Sequence, residues 1–174
     1  RIVSNCGSRE KVQNWFAQIH QTSGLTGFTI QHPENLALIA VQGPKAPIIA
    51  VNAIEALGID IQQQDAQSLA PFSSYFLTPE FMISTTGYTG EAGFELVISN
   101  DIAPKLWDKL LELGVQPAGL SARDTLRLES AMMLYGQDMD ETFTPAESRL
   151  KWTLDLTDAK RVFNGLESLQ KQNP

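Results

Sequence analysis

Cysteine is nearly absent. Cys6 stands alone in 174 residues, which excludes an internal disulfide and agrees with a reducing compartment. No histidine lies near it in sequence, so Cys6 reads as a small buried apolar residue rather than a reactive thiol. Positive charge is also scarce: 13 Lys and Arg face 20 Asp and Glu, giving a net charge of -7 and a pI near 4.8. Neutralising phosphates needs a basic surface, so nucleic acid is excluded as the main partner. No apolar run reaches the roughly 18 residues that a membrane-spanning helix requires. Histidine is limited to His20, at a helix end, and His32, in a turn. Neither has a nucleophile or metal ligand at a telling spacing, so a Ser-His-Asp arrangement finds no support. Asp138, Asp140 and Glu141 lack the closed loop of oxygen ligands and the glycine of a cation site, and read as turn and capping residues; no metal is expected.

What is present is apolar material, 43% of the chain, enough for a sizeable core in one or two domains. Ile2 to Asn5 reads as a strand, leading through Gly7 to a helix from about Ser8. Val12, Trp15, Phe16 and Ile19 recur at helical spacing and predict one buried face, and Ser23-Gly24 ends it. Phe28 to Gln31 and Leu36 to Val41 read as strands about the turn His-Pro-Glu-Asn. Pro44 predicts the first position of a helix that buries Ile48, Ile49, Val51, Ile54 and Leu57 and stops at Gly58. The Gln-rich stretch from Ile59 to Pro79 carries the least pattern, with Phe72, Tyr75 and Phe76 as its core candidates. Phe81 to Thr86 is a strand. Asn100 or Asp101 caps a helix with Leu106, Trp107, Leu110 and Leu111 inside, ended by Gly114. Trp152 to Leu156 reads as a strand and Leu166 to Leu169 as a helical turn. Paired strands with separate helices predict an α+β fold built on antiparallel sheet. The chain opens on Arg-Ile-Val-Ser-Asn without an initiator Met and is expected to be a piece of a longer protein.

Two stretches stand out. The first is Gly87 to Glu95, GYTGEAGFE. A hairpin needs one or two glycines; three in seven residues are costly, and predict backbone brought close to a flat ligand with Tyr88 available to stack. No Lys-Ser/Thr follows and a strand comes next, which excludes a phosphate loop. In that strand Glu95 shares a face with Val97, opposite Phe94, Leu96 and Ile98. Such a carboxylate either sits at a solvated edge or accepts hydrogen bonds from a buried partner. A cyclic amidine edge, as in a pterin or guanine, offers two parallel donors that match it. The second stretch is Gly119 to Glu147, GLSARDTLRLESAMMLYGQDMDETFTPAE. Ser121 and Asp124 read as N-cap and capping box, with Leu126, Leu128, Met132 and Met133 as the buried side. Arg123 and Arg127 then stack in the positive half of a helix and call for an anionic partner, either a protein carboxylate or a ligand.

These two stretches, with LALIAVQGPKA at Leu36 to Ala46 and IVSNCGSREK at Ile2 to Lys11, resemble the T-protein family of the glycine cleavage system, the folate-dependent aminomethyltransferases. The resemblance covers nearly the whole chain. It implies a three-domain cloverleaf in which residues 1–147 hold the central folate-binding region, made of pieces of two interleaved domains. Residues 148–174 would lead into a C-terminal barrel. It implies tetrahydrofolate as co-substrate, held by Glu95 at the pterin amidine edge with Arg123, Asn5 and Tyr88 around it, while Arg127 stays structural. It also implies the lipoylated H-protein as partner, and a bacterial cytoplasm or a mitochondrial matrix as compartment. The family's catalytic aspartate would lie upstream of Arg1, so no catalytic residue is assigned here and the chain alone is expected to be inactive. Arg149-Leu150-Lys151-Trp152-Thr153 departs from the family's Gly-Leu-Gly-Trp-Thr, and Phe163 to Glu167 from Phe-Ile-Gly-Arg-Glu. Another folate-dependent demethylase of the superfamily and a non-catalytic folate-binding accessory protein are the alternatives.

Overall fold

The computed structural model describes residues 1–61, 68–158 and 160–171. They fall into two compact units, Arg1–Glu34 and Asn35–Pro174.

The first unit is built on helix α1, Arg9–Thr22, preceded by a single 3-10 turn, Cys6–Ser8. The strands expected at Ile2 to Asn5 and Phe28 to Gln31 do not form. An isolated apolar run has no ladder to join, and without a partner edge the extended state gains nothing. Within α1, Val12, Phe16 and Ile19 are half-buried and Trp15 is exposed, so the buried face read from the spacing is only half realised. Cys6 is exposed, not buried. His20 packs edge-on against Phe28, ring centres 4.6 Å apart, and His32 Nδ1 lies 3.3 Å from Gln13 Nε2.

The second unit is a four-stranded antiparallel sheet with helices on one face. Its strands are β1 (Leu36–Gln42), β2 (Ser74–Thr78), β3 (Phe81–Ser84) and β4 (Gly93–Ser99), in the order β1-β4-β3-β2. β4 is central because it alternates as the sequence predicts. Phe94, Leu96 and Ile98 are fully buried beneath the helices, opposite Val41, Ile39 and Ala37 of β1. Helix α2, Ala46–Ala56, begins two residues later than the proline rule places it, with Pro47 rather than Pro44 in its first turn. Its buried side is Ala46, Ala50, Val51, Ala53 and Ile54. The small alanines bring the helix close to the sheet and turn Ile48 out to solvent. Helix α3, Ala103–Glu112, buries Leu106 and Leu110, while Trp107 and Leu111 remain partly exposed. Its N-cap position is Ile102, not Asn100 or Asp101, and carries no side-chain bond.

Helix α4, Leu120–Glu129, follows, and α5, Leu166–Lys171, lies near the end. The strand expected at Trp152 to Leu156 is instead a 3-10 turn, Lys151–Thr153. Of the aromatic core candidates, Phe72 is 76% exposed and Phe76 49% exposed, and only Tyr75 is half-buried. Phe72 precedes β2, and the strand's alternation leaves Phe76 on its exposed side with Tyr75 and Leu77 on the half-buried one.

Candidate functional site

The loop from Thr85 to Ala92 joins β3 to β4 and carries the glycines. Each glycine has a neighbour occupying the place of its missing side chain. A Cβ on Gly87 would overlap the amide of Gln42; one on Gly93 would overlap the Val41 carbonyl and Gln42; one on Gly90 would overlap the Ser130 hydroxyl. Protein atoms fill all three places, side chains at Gly87 and Gly90 and chiefly the β1 backbone at Gly93. Gly93 is paired with Gln42 in the β1–β4 register, so the glutamine side chain leaves the sheet past a residue with nothing to block it. Ser130 donates to the Thr89 carbonyl at 2.9 Å and ties the loop to the end of α4.

Glu95 lies on the sheet face away from the helices, between Ala40 of β1 and Ser84 of β3. It is half-buried. Thr86 donates its hydroxyl to Glu95 Oε2 in a short hydrogen bond. The other oxygen, Oε1, takes no hydrogen bond among the described residues. One oxygen of this carboxylate is thus held by the half-buried Thr86, and the other has no protein donor among the described residues. A cavity of about 450 Å³ borders the loop. Its wall includes Thr86, Gly87, Gly90 and Gly93, closed by Pro47, Phe72 and Met132. Thr86 belongs to that wall, whereas Glu95, Tyr88 and Arg123 do not.

Helix α4 inverts the predicted pattern. Gly119, not Ser121, is the N-cap position, and no side chain caps the helix. The one residue of α4 that is buried is Arg127, with no exposed surface, whereas Leu128 is 53% exposed. Asp124 serves as its partner rather than as a capping residue: Arg127 Nε donates to Asp124 Oδ1 at 2.7 Å, and Nη2 lies 2.7 Å from the same oxygen. Nη1 donates to the Met132 carbonyl at 3.1 Å and to Asp138 in a short ion pair. Burial pulls the guanidinium pKa down, but the hydrogen bonds and charges of Asp124 and Asp138 outweigh it and hold it above its ordinary value. Asp138 also accepts from Leu134 N–H at 2.8 Å, and that backbone bond, with Arg127, keeps its carboxyl below the usual range against the effect of burial. Asp140 and Glu141 accept from Thr142 and Tyr135. They serve the turn, and no group of three or more metal-ligating side chains occurs among the described residues.

Arg123, one turn earlier on α4, is exposed and makes no ion pair among the described residues. Its guanidinium carbon sits 4.5 Å from the centre of the Tyr88 ring, a cation–π arrangement. Tyr88 donates its hydroxyl to the Met133 carbonyl, next to the Met132 carbonyl that Arg127 holds. Burial pushes the phenol up, against the pull of Arg127 and Arg123. The structure thus brings Arg123 and Tyr88 together. Glu95 is anchored by Thr86, two residues before Tyr88, a separation of no more than about 7 Å of chain. Asn5 lies in the first unit, exposed, with its carbonyl accepting from Ser8 N–H at 3.0 Å. Gln42, Thr86 and Ser130 are polar residues that sequence inspection passed over. The available signal was Gln42 itself, a polar residue closing an apolar strand immediately before Gly43-Pro44.

Residues 1–158 match the model of the family described as the GCVT N-terminal domain. An aminomethyltransferase of Bordetella avium is 43% identical over 171 residues, covering 98% of this chain and 45% of that protein. One from Francisella tularensis is 46% identical over 165 residues, 95% of this chain and 44% of its own length. Among solved structures, the glycine cleavage system aminomethyltransferase T from Bartonella henselae superposes with a TM-score of 0.69 at 31% identity, over 87% of this chain and 39% of that one. The chain spans less than half the length of the relatives it matches.

Proposed function

This chain belongs to the family of the GCVT N-terminal domain, and from that we propose that it forms the pterin-binding part of a tetrahydrofolate-dependent aminomethyltransferase. The whole protein moves an aminomethyl group from the lipoyl arm of an H-protein to tetrahydrofolate. It yields ammonia, 5,10-methylenetetrahydrofolate and dihydrolipoyl H-protein. The observation that carries this proposal is the Glu95 carboxylate, fixed through one oxygen by Thr86 and open at the other. An amidine edge presents two parallel donors; Oε1 would accept one, and the second lone pair of Oε2, beside the Thr86 bond, the other.

In this proposal Glu95 receives the N–H and amino donors of the pterin, and Arg123, poised on Tyr88, completes the site. The chemistry asked of these residues is positioning, since aligning the folate nitrogen with the aminomethyl carbon converts a bimolecular encounter into a local one. The group that supports nitrogen nucleophilicity is assigned to a carboxylate outside this chain. Residues 148–174 are proposed as the lead into a further domain.

The test is calorimetric titration of tetrahydrofolate into the intact protein that contains this chain. Glu95→Ala is expected to weaken binding by about 1.5–3 kcal/mol, roughly ten- to a hundredfold. Unchanged affinity would remove the assignment.

A further inference from the structure

The glycine loop should be loose. It has eight residues between two strands, two of them glycine and a third glycine just after it, and glycine carries the largest backbone entropy of any residue. Yet the groups of the proposed pterin site depend on it: Thr86 leaves it to hold Glu95, and Tyr88 leaves it to meet Arg123. Something must hold the loop in one shape, and the Gln42 side chain has the geometry to do so.

Gln42 closes β1 directly opposite Gly93. Its Nε2 donates to the Phe94 carbonyl at 3.2 Å and to the Thr86 carbonyl at 3.3 Å, so both donors of one amide bridge the two legs of the loop. Its Oε1 accepts from the Thr89 hydroxyl at 3.4 Å, near the loop's tip. A primary amide has two donors and an acceptor on a single plane, and here all three are directed at one loop. No aliphatic side chain can do this, and a carboxylate lacks the donors. The absent Cβ atoms of Gly87 and Gly93 make the room. Those glycines and the glutamine are therefore one device.

We propose that Gln42 is a positioning residue for the pterin site: its amide fastens the Thr85–Ala92 loop so that Thr86 and Tyr88 present Glu95 and Arg123 in a fixed relation. This rests on the folate assignment above for its functional meaning, but the fastening itself has an independent readout.

The experiment compares the parent with Gln42→Met, Gln42→Ala, Gly87→Ala and the Gln42→Ala/Gly87→Ala pair, all in the intact protein. Backbone amide exchange is followed by mass spectrometry over residues 85–94, with α3 as the internal reference. Gln42→Met keeps length and volume but loses the amide, and is expected to raise exchange in the loop about tenfold while leaving α3 unchanged. Tetrahydrofolate affinity, measured well below each variant's melting temperature, is expected to fall about tenfold alongside it. Gly87 lies outside the left-handed region, so alanine there is objectionable only because its Cβ meets the Gln42 amide. Gly87→Ala is therefore expected to loosen the loop when Gln42 is present and to have little effect when residue 42 is Ala, a non-additive pair.

Unchanged loop exchange in Gln42→Met, or strictly additive effects of Gly87→Ala and Gln42→Ala, would overturn the proposal. If Gln42→Met does not fold, the Gly87→Ala cycle decides. If the parent itself binds no tetrahydrofolate, the folate assignment fails and the exchange data still judge Gln42.

Discussion

Arg127 sits with no exposed surface between Asp124 and Asp138, and its charge shapes what the neighbouring residues can do. Because the Asp138 carboxyl is held below its ordinary 3.8 in the folded state, the unfolded chain takes up its proton first on acidification. The stabilisation from Asp138 is thus complete above about pH 4 and is lost as pH falls through the folded value. Asp138→Asn is expected to be less stable than the parent at pH 7, with a smaller gap in urea midpoint at pH 3. A gap of equal size at both would contradict the ion pair. Tyr88 shows the opposite sign. Its pKa is raised above 10 by burial, so folding favours the neutral phenol, and that contribution is lost as pH rises past 10 toward the folded value. A spectrophotometric titration in which Tyr88→Phe removes a phenol transition above pH 10 would bear this out. Removal of one below pH 10 would refute it. The neutral phenol is also what lets Tyr88 donate to the Met133 carbonyl. At this scale Glu95 and Arg123 were legible as unusual residues, because a carboxylate on a half-apolar strand and an arginine in a helix's first turn each lack a local explanation. Arg127 was legible as a cation in need of an anionic partner, and its partners are the protein carboxylates Asp124 and Asp138; its complete burial was not, because periodicity assigns apolar side chains to buried faces.

Among the elements, the C-terminus of α4 shows how a helix end carries the site. Met132 N–H bonds to the Arg127 carbonyl at 2.8 Å and Ala131 N–H to the Leu128 carbonyl at 2.9 Å. This is the paired closure in which the turning residue takes a left-handed conformation. That residue is Ala131, at φ 56, where glycine would be free of the Cβ penalty. Ala131→Gly is expected to raise stability by about 0.5–1 kcal/mol in chemical denaturation; a loss of that size would contradict the assigned closure. In α3 the buried side is narrow. Leu106→Ala is expected to cost about 2–5 kcal/mol, against about 1 kcal/mol or less for Trp107→Ala, whose ring is partly exposed. The positions of α1, α2, α3 and β4 were readable from spacing and glycine stops, since those signals act locally. The N-caps at Asn100/Asp101 and Ser121 were misread, because the side chain at a helix start competes with backbone and tertiary partners that sequence does not display. β2 was missed because Tyr75, Phe76 and Leu77 are apolar in succession, which hides from the sequence the alternation that its burial shows.

For the molecule as a whole, the α+β class and the antiparallel sheet followed from pairing strands in sequence, and the register places Glu95 on the face opposite α2 and α3. That placement follows from alternation alone, since Phe94, Leu96 and Ile98 claim the covered face. What could not be read was how the glycine loop is filled, because the filling side chains, Gln42 and Ser130, lie 45 residues before Gly87 and 40 after Gly90. Long-range complementarity of that kind leaves no periodic trace. The central claim is that the half-held Glu95 carboxylate, with Arg123 on Tyr88, receives a reduced pterin. Crystals of the intact protein grown with tetrahydrofolate test it directly. The account predicts density for the pterin with its amino and ring N–H groups on Glu95 and Arg123 in contact with the ring system. A pterin bound elsewhere, with Glu95 still bonded to Thr86 alone, would contradict it.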